Sequence, residues 1–145
     1  MSRLNGPVLI LSLGIAVVRP LAAQATRQCA DAGGQQPANL CFARVADSLE
    51  TKLDSLLADL RSALPPPAFA RLRGAENHWR ASRDSLCAWE HDLFFGGSIA
   101  PQVAAQCRIA LTAQRIATLK VFLCPGAPVM PECAESHRYD ALPEP

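Results

Sequence analysis

Apolar residues at Val45, Leu49, Leu53, Leu56, Leu60 and Leu64 are spaced 4, 4, 3, 4 and 4 apart. They share a face only if the segment is an α-helix. Asp47, Glu50, Lys52, Asp54, Asp59 and Arg61 fill the other faces. The pattern predicts a helix over about residues 39–64, ended by Pro65-Pro66-Pro67, the last proline suiting the first turn of a following helix. A second helix is expected over about 68–93, with Phe69, Leu72, Trp79, Leu86 and Leu93 along its core side. Gly96-Gly97-Ser98 breaks it. A third is expected over about 101–123, carrying Val103, Ile109, Thr112, Ile116, Leu119 and Leu123. With no strand-like alternation and no internal repeat, the expected fold is all-α: an antiparallel bundle or extended helical hairpin of about three helices.

The N-terminal segment has a different character. Arg3 precedes an apolar run of twelve, Pro7 to Val18, and small residues follow at Ala22, Ala23 and Ala25. That order reads as a secretory signal peptide over 1–25, cleaved after Ala25 or after Ala23. The run is too short to span a bilayer, which takes about 20 residues. Without residues 1–25, the chain keeps 12 basic and 13 acidic residues, a net charge near −1. That balance, without a Lys/Arg cluster, excludes a nucleic-acid surface, and no stable membrane insertion is expected after cleavage. The product is expected in the periplasm or outside the cell.

Export makes the cysteines legible. Cys29, Cys41, Cys87, Cys107, Cys124 and Cys133 all follow the leader, an even set in an oxidising compartment. Six cysteines permit 15 pairings; the pairing of neighbours is favoured, Cys29–Cys41, Cys87–Cys107 and Cys124–Cys133. The main domain is read as 26–123. The tail, 124–145, holds five prolines and is expected to be irregular apart from one disulfide loop.

Candidate chemistry is sparse. Cys87 sits late in a helix and there is no C-x-x-C, so a structural bridge clamping helices two and three is favoured over a reactive thiol. Cys124, Cys133 and His137 give three ligands where a closed zinc site needs four; no metal or cofactor is expected. His91 lies between Glu90 and Asp92, neighbours expected to point apart on a helix, and His78 reads as a surface residue. Trp79 and Arg83 share a face, which suits a core tryptophan under an arginine stem better than a sugar platform. Arg83 and Arg115 are then expected to reach Glu50 or Asp54 across the bundle. No nucleophile–base pair, phosphate loop or facing carboxylate pair is found, so the chain is read as no enzyme.

Three blocks resemble a known family. They are Asn39-x-Cys41 with Glu50-Thr51-Lys52-Leu53-Asp54; Glu76-x-x-Trp79-x-x-x-Arg83-Asp84-x-x-Cys87; and Gly96-Gly97-Ser98-x-x-Pro101 leading to Cys107 and Leu111-Thr112-x-x-Arg115-x-x-x-Leu119. Together they resemble the lysozyme inhibitor LprI-like N-terminal domain, a secreted bacterial helical domain. Glu76 stands where that pattern has Gln, Asp54 where Asn is common, and Leu57 where an aromatic is common. The resemblance makes Trp79, Arg83, Asp84, Thr112 and Arg115 structural motif residues. It implies a binding protein whose partner is lysozyme or another envelope protein. A rigid tip of Phe94, Phe95, Gly96, Gly97, Ser98 and Ile99 is the candidate contact. The second reading is an adaptor module of the cell envelope that binds another protein through a bundle face.

Overall fold

The computed structural model describes residues 29–140; the expected leader and the last five residues lie outside them. Three long helices dominate: α1 (Gln35–Ala63), α2 (Pro66–Asp92) and α3 (Ala100–Leu119). A 3₁₀ turn (Lys120–Leu123) and a short α4 (Ala134–His137) follow. Among the described residues there is no strand. At 1.5 Å per residue, α1 and α2 are each about 40 Å long and α3 about 30 Å.

The contacts fix the direction of each helix. Asn39 Nδ2 donates to Ser98 O (2.9 Å), and Asp47 lies 3.8 Å from Arg108. Along α1 and α3 the numbering therefore rises together, and the two helices are parallel. Glu50 meets Arg83 and Asp54 meets Arg80, so α2 runs antiparallel to both. The fold is an up-down-up bundle in which α1 packs most extensively on α3.

α1 starts one turn earlier than expected. Pro37 falls in its first turn, where a missing N–H leaves no helical hydrogen bond unmade. Pro66 and Pro101 likewise sit in the first turns of α2 and α3. The three disulfides join Cys29 to Cys41, Cys87 to Cys107 and Cys124 to Cys133. The first pins the lead-in segment to α1, and the second clamps α2 to α3 just behind their connecting turn.

The apolar core comes mainly from two helices. α1 contributes Phe42, Val45, Leu49, Leu53, Leu56 and Leu60, and α3 contributes Ile109, Ile116 and Leu119. α2 adds only partly buried Phe69, Leu72 and Trp79. Its fully buried positions are Glu76, Arg83 and Cys87. This corrects the predicted stripe: Leu86 and Leu93 face solvent, because the inner face of α2 is occupied by charged side chains.

The tail is more ordered than its prolines suggested. Tyr139 Oη donates to Asp59 Oδ2 (2.7 Å), Arg138 Nη2 donates to the same oxygen (3.1 Å), and Lys120 pairs with Asp140. These contacts fold 134–140 back onto the C-terminal end of α1. Burial, together with the hydrogen bond to the Asp59 carboxylate and its charge, pushes the Tyr139 phenol up to about 12.

Three outcomes are expected. Leu53→Ala should cost about 2–5 kcal/mol in denaturant unfolding. Leu86→Ala, at a position the spacing assigned to the core, should stay within about 0.5 kcal/mol. Tyr139 is the sole tyrosine, so phenolate absorbance against pH reports it alone. Its midpoint should lie near 12 and fall toward the ordinary value in Asp59→Ala. The folded phenol holds its proton where the unfolded one has lost it. The tail contact therefore stabilises fully below the ordinary tyrosine pKa of about 10, and that contribution fades as pH rises to about 12.

Candidate functional site

The motif residues converge on one interhelical network. Arg83, on α2 and only 5% exposed, donates from Nη1 to Glu50 Oε2 on α1 (2.5 Å) and to Thr112 Oγ1 on α3 (3.0 Å). Its Nε donates to Asp84 Oδ1 (2.9 Å). Burial works against the charge of Arg83, but the hydrogen bonds and charges of Glu50 and Asp84 more than offset it, so its pKa is raised. Arg80 also donates to Glu50, through the other carboxylate oxygen, and to Asp54. The Arg83 and Arg115 guanidinia lie 5.0 and 5.5 Å from the centre of the Trp79 ring.

One expected partner differs. Arg115 pairs with Glu76, its Nε donating to Glu76 Oε1 (2.7 Å), and not with Glu50 or Asp54. Those two acids are already held by Arg83 and Arg80. The second oxygen of Glu76 is buried without a hydrogen-bond donor among the described residues. Trp79 is half-buried, with both guanidinia against its ring, which leaves little free face for a sugar to stack on.

His91 and Asp92 meet at 3.1 Å (Nδ1 to Oδ1) instead of diverging, in the last turn of α2. No hydroxyl or thiol is hydrogen-bonded to this pair among the described residues. The disulfide between Cys124 and Cys133 removes both thiolates that a metal would have used.

The α2–α3 turn is built differently. Gly97 N donates to Phe94 O (2.8 Å), and Ala100 N donates to Gly97 O (2.9 Å). Gly96 has φ +75°, and Phe95 before it has φ +48°. A bulky residue in that region is an outlier whose cost is of order 1–3 kcal/mol. A Cβ at Gly97 would come within 3.0 Å of Phe94 O. Phe95 is 94% exposed, and Phe94, Ser98 and Ile99 are exposed beside it. Behind the turn, exposed Leu86, Trp89 and Leu93 run down the outer side of α2 at spacings of 3 and 4, continuous with the tip.

Trp89 was missed by the sequence reading, and Leu86 and Leu93 were misplaced. The available signal was polar: Glu76, Arg83 and Cys87 are 7 and 4 apart and mark the inner face, on which Leu86, Trp89 and Leu93 do not fall.

This is a small disulfide-stapled bundle whose internal charges hold its own helices and which exposes a run of apolar residues at the α2–α3 corner. Residues 26–119 match the family model described as lysozyme inhibitor LprI, and the chain belongs to that family. Neither the curated proteins nor the solved structures gave a match.

Arg83→Ala should lower stability by about 3–5 kcal/mol, since it leaves the Glu50 carboxylate short of a buried partner. Thermal unfolding checks this. A change under about 1 kcal/mol would make the network dispensable.

Proposed function

We propose that this chain is an exported, non-catalytic protein that inhibits a lysozyme by inserting the tip at Phe94–Ile99 into the enzyme's substrate cleft. The family supplies the partner class. One observation carries the mode: an almost fully exposed phenylalanine, held at positive φ, on a turn tied down from both sides. The Cys87–Cys107 bridge and the Asn39–Ser98 hydrogen bond hold that turn, which lowers the ordering entropy lost on binding. Phe94, Ile99, Leu93 and Trp89 surround it with apolar surface, and aromatic anchors of this kind dominate interface energies.

Charge supports the same reading. From Asp84 to Cys107 there is no Lys or Arg; Asp84 is paired with Arg83, which leaves Glu90 and Asp92 as the acids nearest the tip in sequence. Host-type lysozymes are basic, so Glu90 and Asp92 beside the tip favour their approach. No helix among the described residues is long and apolar enough to cross a membrane, and export by the N-terminal leader would place the protein where such an enzyme acts.

The test is Phe95→Gly. Glycine accepts positive φ without steric cost, so stability should hold or rise by up to about 1 kcal/mol. Inhibition should weaken by at least about 30-fold, the equivalent of a 2 kcal/mol hot spot. Undiminished inhibition by this folded variant would remove the tip from the mechanism. A folded parent protein that inhibits no lysozyme would favour the envelope-adaptor reading, with the same apolar corner as its contact.

A further inference from the structure

The opposite end of α2 carries the opposite charge. Between Asp59 and Glu76 the chain has Arg61, Arg71 and Arg73 and no acid. Arg61 in the last turn of α1 and Arg73 in α2 line an open recess of about 330 Å³, together with Pro66, Phe69 and Ala70. The two arginines make no ion pair or side-chain hydrogen bond among the described residues, whereas Arg80, Arg83, Arg108, Arg115 and Arg138 all have acidic partners.

We propose that this recess at the α1–α2 corner is a binding site for a phosphate group carried on an apolar body, with Arg61 and Arg73 holding the oxyanion and Phe69 and Pro66 the apolar part. Guanidinium forks match phosphate oxygens in pairs. The backbone does not compete for this role. Pro65, Pro66 and Pro67 have no N–H, and the amides of Ala68 and Phe69 already donate to Pro65 O (2.9 and 3.0 Å). Recognition of an anion therefore falls on the side chains.

Size argues for more than a bare ion. The recess has room for on the order of ten waters at about 30 Å³ each, far more than one phosphate displaces. Its volume falls at the small end of ligand clefts, about 300–1,000 Å³. The apolar lining would gain nothing from inorganic phosphate alone. The site lies roughly 40 Å along α2 from the tip, so it leaves the tip free and does not depend on the inhibitor reading.

The full-length mature protein and Arg61→Ala/Arg73→Ala are compared. Both residues are exposed, so the variant should unfold at the parent's temperature. Two probes are used: inorganic phosphate, followed by the NMR shifts of the arginine Nε–H groups, and sedimentation with phosphatidylglycerol/phosphatidylcholine vesicles against phosphatidylcholine vesicles alone. Saturable movement of two Nε–H signals in the parent, absent in the variant, is the result expected with phosphate. Binding to the anionic vesicles should be at least tenfold stronger than to the neutral ones, with that preference lost in the variant. A response to vesicles without one to phosphate would support the site and identify a lipid headgroup as the source. No response to either probe, or a response that survives in the variant, would overturn the assignment. Lysozyme inhibition by the variant should equal that of the parent.

Discussion

The buried guanidinium of Arg83 decides how the three helices meet. It reaches Glu50 on α1 and Thr112 on α3 and lies against Trp79 on its own helix. A charge taken out of water is tolerated only when its donors are satisfied. The apolar core constrains α1 against α3, but α2 places few apolar side chains in it. A slip of one turn by α2 would cost little hydrophobic burial and would strand this guanidinium. The network and the Cys87–Cys107 bridge together give α2 its register.

The same arrangement leaves the C-terminal part of α2 with apolar residues on its outer side. Its inner face carries the buried Glu76, Arg83 and Cys87 among the partly buried Phe69, Leu72 and Trp79, while Leu86, Trp89 and Leu93 are exposed. The apolar surplus runs into the one turn where the backbone is held in an unfavourable conformation, at Phe95. Strained residues persist where their surroundings over-determine them. Here the surroundings are a disulfide behind the turn and a side-chain hydrogen bond from α1 onto Ser98. Glycine at position 95 would relieve the strain, and the exposed ring that replaces it has no packing role in the monomer.

The sequence made the all-α fold and the main core helix legible, because α1 buries almost every residue of its 4-4-3-4-4 stripe. It was misleading for α2. Spacing identifies a face but not which face is inside, and Leu86 and Leu93 were assigned by hydrophobicity where burial follows Arg83 and Glu76. The motif residues were legible as a group, yet the partner of Arg115 was not, since Glu76 and Arg115 are 39 residues apart and Glu50 and Asp54 were equally eligible. The tail was hidden for a similar reason. Tyr139 and Arg138 find Asp59 about eighty residues earlier, a contact no local pattern announces.

Net charge is the quantity that most understates this molecule. A total near zero suggests no electrostatic preference for any partner, but the charges are sorted. The tip end carries Glu90 and Asp92 without a nearby Lys or Arg in sequence, and the α1–α2 corner carries Arg61, Arg71 and Arg73 with no acid between Asp59 and Glu76. The ends are roughly 40 Å apart, while the Debye length is about 8 Å at physiological ionic strength. A partner docking at the tip is screened from the arginines and responds to the local acids. An anion at the corner is screened from those acids in turn. The two ends of one helix therefore act as separate surfaces of opposite preference, and rim charges of this kind act mainly on association rate and its salt dependence. For the proposed contact at the tip, the acids nearest in sequence, Glu90 and Asp92, weigh more than the sum over the chain.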